Sequence, residues 1–475
     1  MILGVIVEGR LLLEEVHRFI SPPVKMGGSL RWNLLGVFEE LKIGLRKSVA
    51  PDRDIVSVSV DSWGVDYVLM NAAQPMLGLP HHYRDPRTEK PFASARATVG
   101  DEKIFAETGI QFLAINTLYQ LLADQVRNLE LLALAERFLT VADYFHFLFC
   151  GVGKIEESMA STTQLYNPTS RDWSWPLIAA FDLPARIFPE IVPSGTRLGP
   201  LLPQIREETG LPSIDVIATC SHDTGAAVAA IPAEGEHWAF VSSGTWSLIG
   251  VELPSPLINA DVRAQNFTNE AGFGGTTRFL KNIAGMWLLQ ESQRTWQRQG
   301  LTFEHGALEA LAIAAGPARA FVNPNAVCFA QPDDMPDKIA EFCRQTAQPA
   351  PATPGEFVRC VLESLALLYR ELLKQIERLT GRSILELHIV GGGSRSRLLN
   401  QMAADATGRT VLAGPVEATA AGNILIQAIS MGELQSLGHA REIVRRSFKI
   451  ERFEPEKRAD LAEAAERFAR ISSIG

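Results

Sequence analysis

The chain has 475 residues, 46% hydrophobic and 21% charged, with a formal net charge of −9. That length exceeds one ordinary hydrophobic core and predicts two or three domains, and the apolar fraction excludes long disorder. The acidic balance argues against nucleic acid or an anionic membrane as the main partner, and no apolar run reaches the ~18–20 residues of a membrane helix. The five cysteines, Cys150, Cys220, Cys328, Cys343 and Cys360, show no C-x-x-C spacing. A reducing cytoplasm is therefore expected, with no disulfide framework and no metal site. Cys343 and Cys360, on neighbouring helical segments, read as two buried thiols.

Met1–Val7 is apolar, has no basic residue before it and stops at Glu8, which marks a strand rather than a signal segment. With Leu11–Phe19 it predicts a hairpin about Glu8-Gly9-Arg10. Trp32, Leu35, Phe38, Leu41 and Leu45 lie near helical spacing and predict a helix over Arg31–Arg46. A β-branched strand over Ile55–Val60 comes next and runs into Asp61-Ser62-Trp63-Gly64-Val65-Asp66. Strand, helix and strand with a polar loop at the strand's carboxyl end is an α/β pattern. Tyr67–Met70 and Met76–Leu79 suggest a second hairpin. Helical stretches are expected over Glu89–Thr108, Leu118–Ala123 and Leu129–Ala135, an aromatic core segment over Asp143–Phe149, and a loop and helix over Glu156–Leu165.

Val216–Ala218 reads as a strand that breaks into Ser221-His222-Asp223-Thr224-Gly225 before a small-residue helix. A boundary near Pro232–Glu236 precedes a second strand, which stops at Ser242-Ser243-Gly244-Thr245. Leu280–Trp296, carrying Lys281, Asn282 and Gln290, is expected to be helical, as is the amphipathic stretch Phe357–Leu379. Leu385–Val390 is a buried-strand run ending in Gly391-Gly392-Gly393, with a helix from Arg397, a short strand at Val411–Ala413 and a small-residue helix over Glu417–Ile429.

Four of these loops carry chemistry-bearing groups. Asp223, at a strand end, suits a proton acceptor for a hydroxyl and equally suits a helix cap; His222 alone reads as a packing or hydrogen-bonding histidine. Ser242–Thr245 has small residues whose backbone N–H groups can wrap a phosphate, and on its own is also an ordinary turn. Gly391–Gly393 between a strand and a helix allows close backbone approach by a nucleotide, although it is neither a P-loop nor G-x-G-x-x-G. Asp61–Asp66 combines small polar groups, an aromatic ring and a glycine, which suits a sugar. Arg84, Asp85 and Arg87 read as a structural ion-pair network.

The segments Asp61-Ser62-Trp63-Gly64-Val65-Asp66, Tyr83-Arg84-Asp85-Pro86-Arg87-Thr88, Ser221-His222-Asp223-Thr224, Ser242-Ser243-Gly244-Thr245-Trp246-Ser247, Leu280-Lys281-Asn282-Ile283 and His388-Ile389-Val390-Gly391-Gly392-Gly393 occur in order. Together they resemble the FGGY carbohydrate kinases over nearly the whole chain. The resemblance implies an α/β fold of two actin-like, ribonuclease-H-like ATPase domains around a central cleft. These are a sugar-binding domain over 1–231 and a nucleotide-binding domain over 232–475. It implies transfer of the ATP γ-phosphoryl group, with Mg²⁺, to the C1 hydroxyl of a ketose, L-rhamnulose. By resemblance Asp223 is the catalytic base, Gly64, His222, Thr224 and Asn282 contact the ketose, and Thr245, Gln290 and Gly392 match nucleotide-binding positions. Glu417-Ala418-Thr419-Ala420-Ala421-Gly422-Asn423 resembles the family's adenosine-side helix.

The family's opening strand and turn, of the type Asp-Leu-Gly-Ala-x-Ser-Gly-Arg, has no counterpart. Met1-Ile2-Leu3-Gly4 matches the continuation after that turn. The expectation is a natural start upstream of Met1, the first strand and its phosphate hairpin being missing from this sequence. Two other readings stand beside the kinase: a catalytically inactive protein that binds ketose or nucleotide, and a kinase of another 6-deoxy ketose such as L-fuculose. A sugar-sensing transcription regulator lacks its helix-turn-helix segment and basic patch.

Overall fold

The computed structural model describes residues 1–304, 306–472 and 474. It is a mixed α/β protein whose chain divides into two compact units. The first comprises Met1–Pro232, Glu252–Phe279 and Ala418–Ser447; the second comprises Ala233–Val251, Leu280–Glu417 and Phe448–Gly475.

In the first unit, strands Ile2–Val7 and Arg10–Glu15 form the expected hairpin. Val7 pairs with Arg10, so the turn is Glu8-Gly9, with φ of 50° and 72°. Two consecutive positive φ values are what a tight hairpin turn requires. The second strand stops at Glu15 rather than Phe19, because Val16 N and His17 N both turn back to Met1 O. The first helix runs over Leu34–Ser48, later than expected, since Asn33 caps it by accepting from Gly36 N at 3.1 Å. Ser29–Arg31 is instead a short strand.

Strands Thr196–Pro200, Asp215–Ala218 and Ser57–Val58 form a three-stranded sheet in that order. The first pair is antiparallel and the second parallel. Leu45 of the first helix packs with Phe149, Ile205, Ile214 and Val216 beneath it.

The second hairpin expectation is corrected. Tyr67–Met70 pairs antiparallel with Arg137–Thr140. The turn after Met70 does form, with Asn71 Oδ1 accepting from Ala73 N and Gln74 N. Its return segment makes only local bonds such as Leu77 N to Leu69 O, while the buried run Phe138–Thr140 takes the ladder. The stretch Glu89–Thr108 is two helices, Glu89–Val99 and Asp101–Thr108, broken at Gly100 with φ of 90°.

In the second unit, strands Trp246–Leu253, Trp238–Ser243, Glu386–Val390, Thr410–Ala413 and Glu451–Phe453 lie side by side in that order. Trp238–Ser243 runs parallel to Glu386–Val390, which runs parallel to Thr410–Ala413. Parallel strands need cover on both faces. The helix Pro354–Thr380 reaches one strand of this sheet, with Tyr369 OH 3.4 Å from Ser247 Oγ; it is started by a Thr353/Glu356 capping box with Pro354 in its first turn and ended at Gly381 in left-handed conformation. The expected helix over 280–296 is corrected: Thr277–Ala284 is a strand and the helix is Trp287–Arg298. Asn282 therefore stands on a strand. All five cysteines are free thiols, and Cys343 and Cys360 are buried.

Candidate active site

The sequence-predicted residues fall into two groups, one in each unit. Gly64, His222, Asp223 and Thr224 belong to the first; Thr245, Asn282, Gln290 and Gly392 belong to the second.

In the first unit the strand Asp215–Ala218 leads to Ser221-His222, and a helix begins at Asp223. Three neighbours hold this turn by its backbone. Ser62 N donates to Ser221 O and Asp223 N to Ser62 O, both at 2.9 Å. Ser221 N donates to Glu156 Oε2 at 3.0 Å, and His222 N to Ser158 Oγ at 3.0 Å. Glu156 is buried and also accepts from Ser158 N, Met159 N and the hydroxyls of Ser158 and Ser194. Burial pushes its carboxyl up to about 7, against those hydrogen bonds.

Asp223 is the first helical residue and His222 occupies the cap position without a side-chain bond. The cap alternative for Asp223 is therefore not what is built. Its Oδ1 accepts from Thr224 N at 2.5 Å and Thr224 Oγ1 at 3.2 Å, lies 3.5 Å from His222 Nε2, and its side chain is 45% exposed. A carboxylate at a helix start and open to solvent is accessible to a hydroxyl.

The Asp61–Asp66 loop lies against the same turn. Gly64 is buried, and a Cβ there would stand 2.7 Å from Thr162 Oγ1, so only glycine fits. Val65 has φ of 66°, a strained value for a β-branched residue. It is held by Val65 N donating to Thr162 Oγ1, and by Val65 O accepting from Thr117 Oγ1 and Gln120 Nε2. Buried Asp66 accepts from Trp32 Nε1 at 2.6 Å and Trp63 Nε1 at 3.0 Å, and burial raises its carboxyl to about 6. It thereby fixes two indoles whose centroids are 4.2 Å apart.

Asp61 Oδ2 accepts from Asn423 Nδ2 at 2.6 Å. Burial, with the charge of Asp223 a smaller cause, raises its carboxyl to about 6. Asn423 Oδ1 accepts from Gln427, whose Oε1 accepts from Ser57. Asp85 and Arg87 form the expected structural network. Arg87 pairs with Asp124 at 2.6 Å, and Asp85 accepts from Ser29 Oγ, Leu30 N and Arg87 N.

In the second unit Ser242–Thr245 closes the hairpin between strands Trp238–Ser243 and Trp246–Leu253, with Ser243 opposite Ser247. Gly285 N and Trp287 N donate to Thr245 O, and Met286 N donates to Gly244 O. Gly285 is required there, since a Cβ would lie 2.5 Å from Ser247 Oγ. Thr245 Oγ1 donates to Gln290 Oε1 at 2.9 Å, so these two predicted residues meet directly.

Val390 pairs with Ser242, which brings the Gly391–Gly393 turn onto the same strand ends. A Cβ on Gly391 would lie 3.0 Å from Ser243 O and one on Gly393 1.9 Å from Ser243 Oγ, whereas Gly392 has open space around it. Two glycines permit packing, and the third leaves a gap at the carboxyl ends of parallel strands, the usual ligand position in α/β sheets. Asn282 stands near the end of its strand, two residues before Ala284, whose N–H donates to Asn325.

Sequence reasoning missed Glu156, Ser158, Ser194, Glu270, Arg278 and the Asn423–Asp61 bond. Little in the sequence signals them: Arg278 follows Gly275-Thr276-Thr277, a polar stretch that does not mark a buried charge.

The model of the N-terminal domain of the FGGY family of carbohydrate kinases matches residues 32–230, and that of its C-terminal domain matches 239–431. The chain is 40% identical over 458 residues to the rhamnulokinase of Bacteroides thetaiotaomicron, covering 96% of this chain and 94% of that protein. It is 39% identical over 445 residues to the rhamnulokinase of Enterococcus faecalis, covering 93% and 89%. Among solved structures, Plasmodium falciparum glycerol kinase with ADP superposes with a TM-score of 0.76 at 13% identity, covering 98% of this chain and 93% of that one, which is a likeness of fold.

Proposed function

The chain belongs to the FGGY family of carbohydrate kinases, and from that membership we propose that it transfers the γ-phosphoryl group of ATP to the C1 hydroxyl of L-rhamnulose. The observation that carries the acceptor is its near-full-length likeness to the two rhamnulokinases. The product is L-rhamnulose 1-phosphate, and the reaction is a cytoplasmic step of L-rhamnose degradation. The division of labour is a sugar-binding domain over 1–231 and a nucleotide-binding domain over 232–475. Segments Glu252–Phe279 and Ala418–Ser447 pack into the first compact unit, so the sugar side also draws on residues from the second half of the sequence.

Asp223 accepts the hydroxyl proton as the oxygen attacks phosphorus in line. Its exposed carboxylate and backbone held at Ser221, His222 and Asp223 support that role. Gly64, His222, Thr224 and Asn282 orient the ketose. Thr245 and Gln290, already paired, and the open backbone at Gly392 bind ATP phosphates and nucleoside. Among the described residues no group of three or more His, Cys, Asp or Glu side chains could hold a metal. Mg²⁺ arriving with ATP needs only one or two carboxylates besides phosphate and water. Asp61, whose carboxylate is oriented by Asn423 Nδ2, would fit that need. When bound, Mg²⁺ offsets the charge on the phosphoryl oxygens.

The test is turnover with ATP and a panel of L-rhamnulose, L-fuculose and D-xylulose, with the product mapped by phosphorus NMR. The expected result is the highest kcat/KM with L-rhamnulose and phosphate on C1. Preference for another ketose, or no ADP formation with any, sinks the assignment.

A further inference from the structure

Behind His222 the first unit buries a cation that none of the proposed roles uses. Arg278 is 0% exposed and stands on strand Thr277–Ala284. Its Nε donates to Ala271 O at 3.0 Å, and its Nη1 lies 3.1 Å from Glu270 Oε2. Both Nη1 and Nη2 lie 3.3 Å from His222 Nδ1. Glu270 Oε2 is 3.4 Å from the same nitrogen, and His222 Nε2 faces Asp223 Oδ1 at 3.5 Å. The guanidinium also packs on the helix start, since a Cβ on Gly225 would meet Arg278 Cζ at 3.6 Å.

A guanidinium carries only donors and stays charged. The ring nitrogen that two of its N–H groups face must offer a lone pair. Glu270 acting alone would draw a proton onto Nδ1; paired with Arg278, its charge is offset. The neutral ring then carries its proton on Nε2, directed at Asp223. We propose that Arg278, held by Glu270, is a positioning residue that fixes His222 as the Nε2–H tautomer, so that the ring donates toward Asp223 and the acceptor hydroxyl and does not compete for the proton. The tautomer is set by the cluster itself; its effect on turnover rests on the kinase reading. The other titratable groups around this turn are Asp61, beside Asp223, and Glu156, bonded to Ser221 N.

The experiment is nitrogen-15 NMR of the full chain labelled at histidine, with His222 assigned by His222→Gln, together with kcat/KM for ketose. In the unsubstituted protein Nδ1 should be unprotonated and Nε2 protonated at neutral pH; a proton on Nδ1 overturns the proposal. In Arg278→Gln the proton should move to Nδ1 or a second proton bind. kcat/KM should fall roughly ten- to a hundredfold, as for loss of partners that orient a functional histidine. Arg278→Lys, which keeps the charge and loses the fork, should restore the Nε2–H tautomer. An unchanged His222 spectrum in folded Arg278→Gln overturns the proposal. Should that variant not fold, Glu270→Gln decides: Nε2–H must persist, and a proton on Nδ1 overturns it. Absence of ATP turnover in the unsubstituted protein would sink the kinase reading while leaving the tautomer measured.

Discussion

Asp223 is the side chain on which the proposed chemistry turns, and its place at the first helical position rather than the cap leaves its carboxylate 45% exposed. Replacing it with asparagine keeps the shape and the bond from Thr224 N but removes the basic oxygen. Asp223→Asn should therefore lower kcat by about a hundred- to ten-thousandfold, the usual contribution of a positioned general base. ATP affinity, measured by calorimetry, should stay near that of the unsubstituted protein; near-normal turnover would remove Asp223 from the mechanism. The strand-to-helix turn at Ser221-His222-Asp223 was legible from its sequence. The place of Glu156 was not, since its carboxylate reaches across from a separate segment to Ser221 N. Nothing in Ile155-Glu156-Glu157-Ser158 distinguishes a buried acceptor from a solvated one until the fold brings Ser194 and Ser221 to it.

At the scale of elements, glycines decide how closely strands and helices meet. Helix Ala418–Ser430 lies against helix Asp223–Ala229, and a Cβ on Gly422 would stand 1.8 Å from Ala226 O. Gly422→Ala must push the helices apart or shift Asn423 from Asp61. We expect a loss of about 1–3 kcal/mol by denaturant unfolding, the range for overpacking; unchanged stability would show that the helices have slack. The three glycines after Val390 should separate in the same way. Gly393→Ala collides with Ser243 and should be destabilising. Gly392→Ala meets nothing within 4 Å, so it should fold normally and raise the KM for ATP; an unchanged KM would take Gly392 out of the nucleotide site.

Element types with a clear period were legible, such as the helix Pro354–Thr380 and the strand Glu386–Val390. The failures have physical causes. Leu280–Ala284 and Trp287–Trp296 join two apolar patterns across Gly285, and a run of mixed period reads as one helix when no partner strand is known. Tyr67–Met70 has a good turn after it, but a more buried strand seventy residues on supplies the better ladder.

At the scale of the whole molecule the chain interleaves its units, with strands Trp246–Leu253 and Thr277–Ala284 each running from one into the other. That interleaving was invisible in a sequence read as two consecutive halves. Asp61, Asp66, His81, His82 and Glu156, all in the first unit, make stability against pH a test of its interior. Burial raises Asp61 and Asp66 from 3.8 to about 6 and Glu156 from 4.5 to about 7. Each contributes stability that is full below its unfolded value and lost as pH rises through the folded one. Burial lowers His81 and His82 from 6.5 to about 4. Their contribution has the opposite sign, full above 6.5 and lost as pH falls toward 4. The two sets oppose each other across the same window, so the thermal midpoint should change little between pH 5 and 6.5. His82 Nδ1 accepts from Arg84 N and His81 Nδ1 meets Ser29 Oγ, roles an asparagine oxygen can take. The double variant His81→Asn, His82→Asn should therefore expose the carboxylates alone, with a midpoint that climbs steadily as pH is lowered from 8 to 5. A midpoint that falls over that range would mean that Asp61, Asp66 and Glu156 are ionised at little cost, held by their hydrogen bonds rather than strained by burial.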